Sequence, residues 1–298
     1  MLDFRYSSTK GMFNLIHSDL HIHSENSYDA SAPLDTIAQN ALAQGLRMVG
    51  ITDHVNFNDN QFLQDLRNSA NAVKNAQKTY PFMLLGVELT PIEKPEFDYI
   101  AKTGTREGYE PPIQDDPYDI ELAVSKEELL ALGVRYAIGA CHWRVDRPNG
   151  IKLEPDLDAC IKEYFRQQMW LACDERVTIL GHPWFDLCSV MYKDLDFWYK
   201  DFSKIPRSIN LELAAALKEN GKYVECNSHF FTTNRTTEKF RHQYAEFLRE
   251  LFEMGIPVTY GSDSHQDYPD RRPIVEPYLA EAGFRDGDIS ELSADILW

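Results

Sequence analysis

The sequence predicts an α/β barrel in which parallel strands alternate with helices, and two observations point there. Seven short apolar runs alternate with longer segments of helical periodicity, the pattern of parallel strands joined by crossover helices. Metal-ligating side chains then fall at the C-terminal ends of at least six of those runs. Only a closed ring brings six strand ends to one focus; an open sheet would spread them along an edge. At 298 residues the chain suits one large barrel or two ordinary domains, and the converging ligands favour a single unit over 1–298.

The strands are read over Leu15–His21, Arg47–Thr52, Met83–Leu89, Tyr136–Cys141, Val177–Leu180, Lys222–Cys226 and Pro257–Gly261. Between them, Leu34–Gly45 follows a proline and ends at a glycine, and Asn60–Thr79 is the second helical segment. Ser125–Leu132 opens with a capping box, Ser125 followed by Glu128. Asp156–Cys173, Asn210–Asn220 and Thr237–Met254 complete the set, with Gly221 and Gly255 placed as C-terminal caps. Pro91–Val124 breaks the rhythm. It is rich in Pro, Gly, Asp and Glu, and loops of that length in compact domains are uncommon and usually functional. A lid, a substrate-contacting insertion or a dimer contact is expected of it.

Composition narrows the function classes. The net charge of −17 argues against nucleic acid as a partner, because such binding rests on Lys and Arg neutralising phosphates. No apolar run approaches the roughly 18 to 20 residues of a membrane helix, so no membrane partner is expected. Residues 1–14 lack the apolar stretch of a secretory signal, which makes the cytoplasm the expected location. The five cysteines are odd in number and none forms a CxxC pair, which fits reduced thiols. Cys141, beside His142, reads as a buried spacer in preference to a ligand or nucleophile.

The chemistry lies at the strand ends. Side chains at i and i+2 of a strand share a face, so His21 neighbours His23 and Asp263 neighbours His265. Asp29 follows in the loop beyond His23. Strand two ends Thr52-Asp53-His54, strand three Gly86-Val87-Glu88, strand four Cys141-His142-Trp143 and strand five Gly181-His182-Pro183-Trp184. Six of the nine histidines therefore sit at strand ends. Imidazole and carboxylate are ligands for zinc, manganese and iron, and burying such groups without a neutralising cation is costly. His17 and His242 read as structural, His229 as only a weaker candidate for supporting the ligands, and Asp53 as a structural group. Trp143 and Trp184 could wall the site or pack behind it.

These residues resemble the polymerase and histidinol phosphatase (PHP) superfamily of metal-dependent phosphoesterases. The matching motifs are Asp19-Leu20-His21-Ile22-His23-Ser24, Thr52-Asp53-His54, Gly86-Val87-Glu88, Ala140-Cys141-His142, Gly181-His182-Pro183 and Gly261-Ser262-Asp263-Ser264-His265. They span nearly the whole chain. The resemblance implies a distorted seven-stranded (βα)7 TIM-like barrel with two or three divalent metal ions (Zn, Mn or Fe) at its C-terminal rim. It implies that His21, His23, Glu88 and Asp263 hold one metal, and that Glu88 bridges to a second held by His142 and His182. A third would use His54, His265 and Asp29, the last a position that varies between histidine and acid among relatives.

The implied activity is hydrolysis of a small phosphorylated metabolite by a metal-bridged hydroxide, with histidinol phosphate as the family's named example. Three divalent ions less three carboxylates and one hydroxide leave roughly two positive charges, which suits a phosphate monoester dianion. His142, Asp263 and Arg144 are the expected catalytic residues. Arg144 and Arg147 follow His142 and are expected to contact phosphate bidentately, with Arg271 and Arg272 as weaker candidates. Asn227 is expected to hydrogen-bond a ligand or substrate oxygen. Two other readings compete. An amidohydrolase-type enzyme would carry a carboxylated lysine on strand four, where this chain has none. A non-catalytic metal-stabilised binding protein would be expected to have lost ligands, and this chain keeps them.

Overall fold

The computed structural model describes residues 14–142, 150, 157–185, 200–293 and 298. In chain order the strands are β1 (Ser18–Ile22), β2 (Met48–Ile51), its two-residue continuation β3 (His54–Val55), β4 (Met83–Leu89), β5 (Ile92–Glu93) and β6 (Ile120–Glu121). Then come β7 (Tyr136–Gly139), β8 (Ile179–Leu180), β9 (Tyr223–Asn227) and β10 (Val258–Gly261). The order β1-β2-β4-β7-β8-β9-β10 is parallel at every pairing, with β3 also pairing to β4. The ends of this path then meet. Asp263 N–H donates to the His21 carbonyl at 2.7 Å, and His23 N–H to the Ser264 carbonyl at 3.0 Å. The seven-stranded barrel is nearly closed.

Helices cover its outside: α1 (Leu34–Gln44), α2 (Asn60–Ala76), α3 (Lys94–Thr103), α4 (Lys126–Leu132), α5 (Leu157–Cys173), α6 (Arg207–Glu219), the single turn α7 (His229–Thr232), α8 (Glu238–Glu253) and α9 (Arg272–Glu281). The expected stops act as read. Gly45 closes α1 in the left-handed conformation, and α4 carries the full Ser125–Glu128 capping box. Among the described residues no helix is long and apolar enough to cross a membrane.

Strand alternation divides outer core from inner. Glu88 pairs in register with Ile138, and Gly86 with Tyr136, so these four share the inner face. Val87 and Leu89 turn outward into the main core against the helices, as do Val224 and Cys226 of β9. Leu20, Tyr136, Ile138, Ile179, Tyr223 and Leu292 form a second apolar cluster inside the barrel. Each such buried aliphatic contributes roughly 1.5–3 kcal/mol, which offsets the cost of the polar groups crowded above it. The Tyr136 hydroxyl donates to the Leu20 carbonyl at 2.7 Å, and a Cβ on Gly50 would overlap that hydroxyl.

Two segments differ from expectation. The 91–124 stretch is not a plain loop: β5 and β6 pair antiparallel, and α3 lies between them. Helix α9 escapes a reading by sequence because Pro273 and Pro277 look like breakers, yet one sits in the first turn and the other is tolerated inside.

Candidate metal centre

The Glu88 carboxylate is the hub. It ends the longest strand, is fully buried, and is approached by five imidazoles. Its Oε2 lies 3.2 Å from His21 Nε2, 3.4 Å from His23 Nε2 and 2.9 Å from His54 Nδ1. Its Oε1 lies 3.3 Å from His142 Nε2 and 3.0 Å from His182 Nε2. Asp263 Oδ1 is 3.3 Å from His23 Nε2 and 3.6 Å from His21 Nε2. At the outer edge, Asp29 Oδ2 lies 3.4 Å from His54 Nε2 and 3.5 Å from His265 Nε2.

These groups fit divalent cations. Among the described residues, Glu88 Oε2 and His54 Nδ1 are both buried without a hydrogen-bond partner, although only 2.9 Å apart. Donor atoms this close without hydrogen-bond geometry are arranged around shared points and not aimed at each other. Three ligand-sized groups emerge: His21, His23 and Glu88; His54, Glu88 and His142; and His23, His54 and His265.

Neighbouring side chains set the tautomers. His21 Nδ1 donates to Glu225 Oε1 at 2.7 Å, which turns Nε2 towards Glu88. Glu225 Oε2 also accepts the His182 backbone N–H at 2.6 Å. No side chain fits at Gly261, because its Cβ would strike the Glu225 carboxylate. The Thr90 hydroxyl donates to Asn56 Oδ1 at 2.6 Å and so accepts from His142 Nδ1 at 2.8 Å, turning His142 Nε2 to the centre. His182 (φ 22°) and Asp263 (φ 53°) adopt left-handed backbone, a strain of about 1–3 kcal/mol each that clusters at functional sites.

The electrostatics are those of charges packed in low dielectric. Burial disfavours a charged His54, yet Glu88 and Asp29 push its pKa up to about 10. Burial acts likewise on His182, which Glu88 and Glu225 nevertheless raise to about 9. His23 is instead lowered to about 3, by burial and by the His54 charge. Burial would raise Glu88 and Asp263, but the surrounding imidazoles, His21 foremost, hold both well below the usual carboxylate range. Protons on imidazole thus neutralise carboxylates here, a role a divalent cation can take over.

Residues 19–229 match the PHP domain family. The chain belongs to the PHP family. The match ends at His229; the folding of the last strand brings Asp263 and His265 up to the same cluster of side chains. A probable phosphatase from Acetivibrio thermocellus is 27% identical over 249 residues, covering 83% of this chain and 78% of that protein. The fold resembles that of a histidinol phosphate phosphatase from Lactococcus lactis, solved with zinc, L-histidinol and phosphate. That likeness has a TM-score of 0.60 at 19% identity, over 95% of this chain and 99% of the other.

All nine side chains expected as ligands of the PHP centre, His21, His23, Asp29, His54, Glu88, His142, His182, Asp263 and His265, lie in one network of contacts. Six of them, Asp29, His54, His142, His182, Asp263 and His265, line a cavity of about 440 Å³ together with Tyr28, Asn56, Phe185, His229, Gln266 and Arg271, while His21, His23 and Glu88 lie buried beneath it. Arg144, Arg147 and Trp143 lie outside the described residues. Asn227 takes one of its two expected roles, a hydrogen bond to an oxygen of an expected ligand. It is fully buried, its amide donates to Asp263 Oδ2 at 3.1 Å and Glu225 Oε2 at 3.3 Å, and its Oδ1 accepts the His229 N–H. With its hydrogen bonds spent on protein, it positions Asp263 and does not face the cavity.

Other expectations separate in the same way. Trp184 is buried against Tyr164, a packing role. Arg272 turns away to Asp270 and to the Ile16 and Gln44 carbonyls, whereas Arg271 reaches the cavity. Asp53 ties the loop after β1 to α2 through Ser24 and Ser69. Cys141 packs in the apolar core. No residue of 91–124 lines the cavity. Thr90 and Asn56 were missed, because nothing local marks a polar pair that meets a histidine 52 positions away from Thr90.

Proposed function

We propose that this protein removes phosphate from a small phosphorylated metabolite. As a PHP member with this histidine- and carboxylate-lined rim, it is a metal-dependent phosphatase; the substrate and the number of ions are our reading. One observation carries it: a single fully buried carboxylate, Glu88, faces five imidazoles within 2.9–3.4 Å. Such a carboxylate is suited to bridging cations.

His21, His23, Glu88 and Asp263 would hold one ion, Glu88, His142 and His182 a second, and Asp29, His54 and His265 a third. Bound divalent ions supply Lewis-acid charge for phosphoryl oxygens and activate water. The chain's own residues prepare that centre: Glu225 and Thr90 present the lone pairs of His21 and His142, and Asn227 fixes Asp263. His182 and Asp263 both hold their places in left-handed backbone. The cavity of about 440 Å³ suits a metabolite-sized ester. The acidic surface supports a reading without nucleic-acid partners, and the absence of CxxC pairs supports a reducing, cytoplasmic setting.

Histidinol phosphate is a substrate to test because a protein of like fold was solved with its product. A panel of phosphorylated metabolites assayed with added manganese or zinc, alongside elemental analysis, checks the proposal. Two to three equivalents of metal and hydrolysis of at least one phosphomonoester are expected. Less than one equivalent, with no ester hydrolysed, would overturn it.

A further inference from the structure

Arg271 follows the Asp263–His265 pair and immediately precedes α9, yet its guanidinium reaches the cavity. Among the described residues it is the one Arg or Lys in the lining. Its anchors are neutral: Nη1 donates to the Ser262 carbonyl at 2.8 Å and to Ser228 Oγ at 3.2 Å. No carboxylate pairs with it among the described residues, although the chain carries 47 acidic residues against 30 basic ones. The adjacent Arg272 is the internal control, since it is paired with Asp270 and tied to two backbone carbonyls.

A guanidinium held by one nitrogen keeps its other N–H groups for a ligand, and its planar fork matches phosphate oxygens. The tether is rigid. Ser228 Oγ itself donates to the Ser262 carbonyl at 2.8 Å, so both anchors belong to one buried knot beside Asp263. The side chain is thereby held without a counter-charge at the mouth of a centre built to attract anions.

We infer that Arg271 is a substrate-binding residue that contacts the phosphoryl group and selects for phosphate esters. The inference rests on the proposed phosphatase reading and deepens it. Its rival is a purely structural role, in which Arg271 only braces the Ser262–Asp263 backbone.

The test compares Arg271→Gln and Arg271→Lys with the wild-type holoenzyme, using inorganic phosphate as the probe. Three quantities are read: the phosphate inhibition constant, KM against kcat for a hydrolysed ester, and metal content. Arg271→Gln is expected to raise both KM and the phosphate constant about tenfold or more, with metal content unchanged and kcat altered less. Arg271→Lys should recover part of that loss. Unchanged KM and phosphate binding in Arg271→Gln would overturn the inference. So would loss of metal or fold in both variants, because that marks the brace. If the wild-type enzyme hydrolyses no phosphate ester, the phosphatase reading itself has failed, which the variants need not be made to reveal.

Discussion

The inner and outer halves of the metal centre are built differently. Glu88, His21, His23 and His182 are at most 2% exposed and lie on strands or directly at strand ends. Asp29 and His265 are 30% and 31% exposed and lie on loops. The inner ligands are braced by Glu225 and Asn227, themselves buried on β9. The outer pair is braced lightly: Asp29 accepts from Ser27 Oγ, and His265 Nδ1 meets the Asp263 carbonyl. A buried ligand set cannot relax when its cation is removed, whereas an exposed one can turn to water. The inner half should therefore bind metal tightly and the outer half exchange it.

The largest expected effect breaks the hub. Glu88→Gln keeps the volume but removes the charge that five imidazoles face. Turnover should fall on the order of a thousandfold, about 4 kcal/mol, with metal loss seen by elemental analysis. A variant retaining both activity and metal would show that Glu88 is not shared between sites.

Acidification comes next. His54 and His182 have metal-free pKa values raised to about 10 and about 9, so both carry protons at neutral pH. A cation must displace those protons, so affinity rises with pH up to about 9 and falls as pH drops. The expected slope is about tenfold per pH unit for the ion that each of these histidines would hold, hence about a hundredfold in the product of the two binding constants. Calorimetry in buffers of different ionisation enthalpy should detect the released protons; binding without release would refute the assignment.

Glu225→Gln probes the bracing of the inner half. It should weaken metal affinity by about 10–100-fold while the barrel stays folded, measured by competition with a chelator. Asp29→Asn sharpens the contrast from the other side, with the smallest change. It should lower metal content by up to one equivalent and turnover by less than about tenfold. Equal damage from Asp29→Asn and Glu88→Gln would erase the distinction between the halves.

Much of this was legible beforehand, because the signals are local. His21-Ile22-His23 and Asp263-Ser264-His265 place ligands on one face by strand alternation alone, and the helix stops at Gly45 and Leu132 need only nearby residues. Helix α9, with Pro277 inside it, was not legible, and neither was α3, which lies within a stretch whose composition reads as a loop. The side-chain partners of the ligands were equally hidden. Whether the face of β9 that carries Glu225 and Asn227 met substrate or metal ligands depended on what lay across the barrel.

By itself, the sequence determined the residue types, their alternation and their places at strand ends, since these follow from two-residue and four-residue periodicities along the chain. Barrel closure decided the rest. Glu88 became the shared centre, His21 met a carboxylate 204 residues away, and Arg271 parted from Arg272. Those outcomes depend on register between strands distant in sequence, and no local preference encodes them.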